Sequence, residues 1–150
     1  MQRTPSARML WTARGATDMV MEKPFLYQIS GEVICGKSLG RQFGFPTANI
    51  AVADDAPVKD GVYASCADID GRRFGAVANV GRRPTVDTQG ERLAEIYFLD
   101  FDGNLYGRKL NVWLTAFIRN ERKFDNLDQL KQQIRQDVDL AYDYFERLGR

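Results

Sequence analysis

Hydrophobic and polar positions alternate in short runs between residues 26 and 118, and the period then changes to that of a helix. Alternation puts successive side chains on opposite faces, as in a half-buried strand. It predicts strands at Leu26–Cys35, Thr47–Val52, Gly61–Ile69, Arg72–Val80, Leu93–Phe101 and Lys109–Ile118. Asp70-Gly71 joins the third and fourth, a dipeptide suited to a two-residue hairpin turn. The last two strands are expected to pair across Asp102-Gly103-Asn104. Beyond them, Leu127, Leu130, Ile134, Val138, Ala141, Phe145 and Leu148 recur every three or four residues, one face of a long helix. Asn126 with Gln129 makes a capping-box pattern at its start, and Gly149 a stop. The fold class is mainly β: a small six-stranded antiparallel β-barrel with a long C-terminal α-helix packed on it. Met9, Leu10, Ala13, Ala16 and Val20 fall near helical spacing, so residues 1–23 read as a lead-in helix or linker. Residues 24–150 then form the barrel with its helix.

Composition narrows the chemistry. A chain of 150 residues can bury a core without disulfides or a structural metal. Twenty-one basic and twenty acidic residues give a net charge of +1, so no global field draws the chain to nucleic acid or a membrane. Apolar runs in the lead-in are too short for a signal-peptide core or a spanning helix. Histidine is absent, which removes the usual proton shuttle and the commonest zinc ligand. Cys35 and Cys66 stand apart in apolar runs and read as buried thiols in a reducing, cytoplasmic setting.

The segment Gly40-Arg41-Gln42-Phe43-Gly44-Phe45-Pro46-Thr47-Ala48-Asn49 carries the most chemical information. Its glycines allow a tight turn or close approach of backbone to a ligand. Thr47 and Asn49, two apart in an extended piece, share one face and offer two neutral oxygen donors of the kind magnesium accepts. Two other motifs mislead. Gly31 to Ser38 matches G-x-x-x-x-G-K-S, but Glu32-Val33-Ile34-Cys35 is strand-like, and Gly40, Gly44 and Pro46 prevent a helix after Ser38. Lys37 is therefore only a nearby positive charge. Asp100-Phe101-Asp102-Gly103-Asn104 fails as a calcium loop, with Leu105 at the sixth position and Asn111 at the twelfth.

Several ordered blocks together resemble the riboflavin kinase family. They are Gly31-x-Val33-x-x-Gly36 with Gly40 to Asn49, then Gly61-Val62-Tyr63-Ala64, then Asn79-Val80-Gly81-Arg82-Arg83-Pro84-Thr85-Val86. Glu95 to Phe101, Leu105-Tyr106-Gly107 and Phe117 to Phe124 continue the series. The resemblance implies a six-stranded barrel with a C-terminal helix that makes FMN from riboflavin and ATP, with Mg2+. The lead-in from Thr4 to Met9 and from Met21 to Phe25 is loosely similar to the junction in bacterial bifunctional enzymes, where an adenylyltransferase domain precedes the kinase. On that reading the chain is the kinase module, and the FAD synthetase half is missing from it.

Roles follow from the resemblance, residue by residue. Glu95 takes the position of the catalytic glutamate, the base that would accept the proton of the ribityl hydroxyl. Thr47 and Asn49 match the magnesium pair. Gly36, Arg41, Gly44 and Pro46 match the loop over the nucleotide phosphates, and Phe98, Asp100 and Tyr106 the rest of the nucleotide site. Arg119, Arg122 and Phe124 match flavin contacts. Tyr97 departs from the family, which commonly has histidine there. Partners are then riboflavin or FMN and ATP or ADP, with no nucleic acid and no membrane. Two rivals remain open: a flavin-binding barrel without kinase activity, and a barrel binding single-stranded nucleic acid, for which the near-neutral charge lacks a basic groove.

Overall fold

The computed structural model describes residues 25–34, 47–83, 90–99, 101 and 103–148. Six strands, β1 (Tyr27–Ile34), β2 (Thr47–Ala51), β3 (Gly61–Ile69), β4 (Arg72–Arg83), β5 (Glu91–Phe98) and β6 (Lys109–Arg119), precede helix α1 (Leu127–Leu148). The strands close into an antiparallel barrel in the order β1-β2-β5-β4-β3-β6.

Alternation divides the apolar residues into two cores. Inside the barrel, Ala48, Ala76, Ala78 and Ala94 leave room for Ile50, Ile96, Phe98 and Leu114. Outside it, Val62, Ala64, Cys66, Val77, Tyr97 and Trp113 meet Ile134, Val138, Ala141 and Phe145 of α1. Burying a side chain such as Ile134 or Phe145 contributes about 1.5–3 kcal/mol, so this apolar face holds the helix in place. Gly75 permits the close approach, since a Cβ there would lie 3.0 Å from the Phe145 ring. The helix start is capped as its sequence indicates. Asn126 Oδ1 accepts from the Gln129 N–H at 2.9 Å, and Gln129 Oε1 accepts from the Asp125 N–H at 3.3 Å.

The β3–β4 hairpin forms at Asp70-Gly71, whose φ values of 52° and 77° suit a type I′ turn. The expected β5–β6 hairpin does not form. β5 lies between β2 and β4, whereas β6 lies between β3 and β1. The connection across Asp102-Gly103-Asn104 is instead a crossover at one end of the barrel. Leu105 is buried there, and Phe101 packs edge-on against Phe74 with centroids 5.3 Å apart. A turn-like tripeptide reports a change of direction but not which strand comes next.

β4 also runs past Val80, because Gly81, Arg82 and Arg83 pair with Leu93, Arg92 and Glu91. That register sets two arginines opposite each other. Each finds a carboxylate in the β2–β3 connection, Arg92 with Asp60 at 3.0 Å and Arg82 with Asp54 at 2.8 Å. Arg92, only 7% exposed, also donates to the carbonyls of Ala53, Ala56 and Val58 and so ties that connection to the barrel. Arg92→Ala would leave these acceptors without their donor. A loss of about 2–3 kcal/mol is expected, read as a melting temperature lower by roughly 5–10 °C; an unchanged melting temperature would contradict the clamp.

Candidate active site

One row of residues crosses five strands on the outer face of the barrel. Asn49 stands opposite Glu95, Glu95 opposite Asn79, Asn79 opposite Val62, and Val62 opposite Arg119. Directly opposed residues carry Cβ atoms about 4.5–5.5 Å apart, so the row is a run of neighbours. A register shift in the β3–β6 pairing between Val62 and Tyr63 re-aims the end of β6, the usual effect of a bulge. Arg119 thereby joins the row's end. Two residues along β5, Tyr97 stands opposite Thr47 on one side and Val77 on the other.

These polar groups are buried. Thr47, Asn49, Glu95 and Tyr97 are 6%, 4%, 4% and 4% exposed. A buried carboxylate is unfavourable unless it is hydrogen-bonded, and the Tyr97 hydroxyl donates to Glu95 Oε1 at 3.0 Å. Thr47 Oγ1 is buried with no hydrogen-bond partner among the described residues. No cluster of three or more His, Cys, Asp or Glu suited to a metal occurs among the described residues. Cys66 offers no nucleophile, because burial pushes its thiol far up from the ordinary range.

Helix α1 and the segment before it close the site. A cavity of about 480 Å³ lies between the barrel wall (Val62, Asn79, Glu95, Tyr97) and the helix (Leu130, Ile134, Asp137). Arg119, Arg122, Phe124 and residues 125–127 complete its lining. The volume is within the range of small-molecule pockets, about 300–1,000 Å³. Asp137, 1% exposed, holds Arg119 by two parallel bonds of 2.9 and 2.8 Å. Both arginines flank the Phe124 ring, with guanidinium carbons 5.9 and 5.2 Å from its centroid.

Of the residues expected from the sequence, Glu95, Arg119, Arg122 and Phe124 come together around this cavity. Thr47 and Asn49 adjoin it on β2 and face the same way, while Ala48 and Ile50 between and beyond them point inward. Phe98 does not join them. Its side chain, 0% exposed, faces the barrel interior, because it lies an odd number of residues from Glu95 and so on the opposite face. Tyr106, 62% exposed, lies in the β5–β6 crossover and does not line the cavity. Gly36, Arg41, Gly44, Pro46 and Asp100, with Lys37, lie outside the described residues. Sequence reasoning assigned no role to Asn79 or Asp137. Asp137 had a signal, since it falls between Ile134 and Val138 on the apolar stripe of α1.

Comparison with known proteins identifies the family. Residues 23–145 match the flavokinase family, described as riboflavin kinase. The RNA-binding riboflavin kinase RibR of Bacillus subtilis is 39% identical over 124 residues, covering 81% of this chain and 52% of that protein. The bifunctional riboflavin kinase/FMN adenylyltransferase of Pseudomonas fluorescens is 40% identical over 124 residues, covering 83% of this chain and 39% of that protein. The solved riboflavin kinase from Trypanosoma brucei matches with a TM-score of 0.56 at 25% identity, over 85% of this chain and 83% of that one. The chain belongs to the riboflavin kinase family. It spans about half or less of the length of these two curated relatives. No described helix is long and apolar enough to cross a membrane.

Tyr97→Phe keeps the ring in the outer core and removes only the hydroxyl that reaches Glu95. Stability is expected to fall by about 1.5–3 kcal/mol, the scale of a hydrogen bond to a charged acceptor. A denaturant midpoint equal to that of the parent would show that this bond is not formed.

Proposed function

We propose that the chain transfers the γ-phosphoryl group of ATP to the terminal ribityl hydroxyl of riboflavin, giving FMN and ADP. The observation that carries this reading is Glu95. It is a buried carboxylate held by Tyr97, centred in a polar row, and open to a cavity bordered by Phe124 and two arginines. The transition state of phosphoryl transfer is loose, so such a protein mainly positions its substrates and balances charge. The ribityl oxygen forms the new bond to the γ-phosphorus, the bond to the β-phosphate oxygen breaks, and Glu95 accepts the hydroxyl proton. Phe124 and the apolar wall of Val62, Leu130 and Ile134 suit the flavin ring.

The donor chemistry also fits magnesium. Thr47 Oγ1 and the Asn49 carboxamide are neutral oxygens, and magnesium takes few protein ligands beside water and phosphate oxygens. These two residues would hold the ion, which supplies charge neutralisation at the phosphates. We read residues 24–150 as a kinase module acting in the cytoplasm. Its near-balanced charge argues against a nucleic-acid partner.

Incubation of the chain with riboflavin, ATP and magnesium is expected to yield FMN and no FAD by chromatography. Flavin bound without turnover would favour a flavin carrier, and sustained FAD formation would reveal a second activity. Glu95→Gln keeps the shape and removes the base, so turnover should fall by about a hundred- to ten-thousand-fold with riboflavin binding retained. A fall of less than about threefold would be too small for a general base. Thr47→Ala and Asn49→Ala should each raise the magnesium concentration needed for turnover, and the double variant should show coupling rather than addition. Unshifted magnesium curves with lowered melting temperatures would assign the pair to hairpin structure instead.

A further inference from the structure

We propose that Glu121 is a positioning residue for the cavity: its carboxylate sits in a notch left by Gly81 on β4 and ties the segment between β6 and α1 to the barrel wall. The inference rests on the flavin site proposed above.

The segment from Asn120 to Asn126 lies between the end of β6 and the start of α1, and its Phe124 lines the cavity. Polar contacts draw it towards the helix. Arg119, just before it, forks onto Asp137, Arg122 Nη1 donates to Gln133 Oε1 at 2.9 Å, and Asn126 Oδ1 accepts from the Gln129 N–H. A segment held from that side alone could still swing away from β4 and β5, whose Asn79 and Glu95 form the opposite wall.

Glu121 turns the other way. A Cβ placed on Gly81 would fall on the Glu121 carboxylate, so the carboxylate fills the space that any side chain at position 81 would take. Gly81 is buried and keeps the regular pairing of β4 with β5, opposite Leu93 and between the pairs Val80–Ala94 and Arg82–Arg92. Strand geometry therefore does not call for glycine here. A glycine inside a strand often marks the close approach of another group, and that group is Glu121. Parity sets the face: Gly81 is two residues beyond Asn79 and shares its outer side. The carboxylate is thus seated beside Asn79 and diagonal to Glu95 in the β4–β5 ladder. Glu121 does not itself line the cavity. It acts through Phe124, three residues further along the segment that it holds down.

The test compares the full chain with Glu121→Ala, Glu121→Gln, Gly81→Ala and the double variant Gly81→Ala/Glu121→Ala. It reads riboflavin binding, KM and kcat for FMN formation, melting temperature, and the rate of tryptic cleavage after Arg122 and Lys123. Glu121→Ala empties the notch. Gly81→Ala fills it, and the flexible Glu121 side chain, rather than the strand, has to yield. Each should weaken riboflavin by about three- to tenfold, the scale of one polar tie, through KM with kcat little changed. Tryptic cleavage of the released segment should quicken in both. Alanine at position 81 lowers the freedom of the unfolded chain, so the melting temperature of that variant should not fall. The double variant should be no weaker than the worse single one, because both changes remove the same contact. Glu121→Gln keeps the shape of the side chain and should recover most of the affinity. Riboflavin affinity and cleavage rates in both single variants equal to those of the parent would overturn the positioning role. Losses that multiply in the double variant, or lowered melting temperatures with KM unmoved, would overturn it as well. In each of these cases a parent that makes FMN leaves the proposed site standing. A parent that neither binds riboflavin nor forms FMN would overturn both the site and this inference.

Discussion

Closure of the barrel is the constraint on which the rest of the structure depends. A six-stranded antiparallel barrel of this size is filled by its own inward side chains, here alanines set against Ile50, Ile96, Phe98 and Leu114. With the interior filled in this way, the outer face of the barrel is left to build a site. Because side chains alternate along β2, β4 and β5, the residues of these strands free to build it are those one step out of phase with the core. Thr47, Asn49, Asn79, Glu95 and Tyr97 all satisfy that condition. Registration of β2, β5 and β4 then turns scattered sequence positions into one polar row.

The helix completes what the barrel cannot. An outer sheet face left bare would expose Val62, Val77, Tyr97 and Trp113 to water, and α1 covers them with Ile134, Val138, Ala141 and Phe145. Its N-terminal part stands away from the wall and leaves the cavity, while Asp137 reaches across to Arg119. Packing and site construction are therefore the same event. The helix face that buries apolar surface also carries the carboxylate that fixes the segment before it.

Much of this is legible in the sequence, for reasons that differ by element. The Asp70-Gly71 hairpin and the long helix depend on local chemistry, namely positive φ at two positions and an apolar stripe with a cap, and both form as read. Strand order is not local. The failed β5–β6 hairpin shows that a turn signal cannot say whether the chain pairs at once or crosses the barrel first. Phe98 shows a second limit: adjacency to Glu95 in a motif suggests a shared site, but parity along the strand sends its side chain to the opposite face. Asp137 shows a third. A charged residue on a helix ordinarily reads as solvated surface, and only its place between Ile134 and Val138 hints that it is buried and must have a partner.

The central claim is that the cavity under α1 holds riboflavin with its ribityl end at Glu95. A crystal structure of the chain with riboflavin, ADP and magnesium tests it most directly. The expected result places the flavin ring beside Phe124, the terminal hydroxyl within hydrogen-bonding distance of Glu95, and the metal against Thr47 and Asn49. A flavin bound elsewhere, such as the smaller groove lined by Phe117, Leu140 and Tyr144, would contradict it.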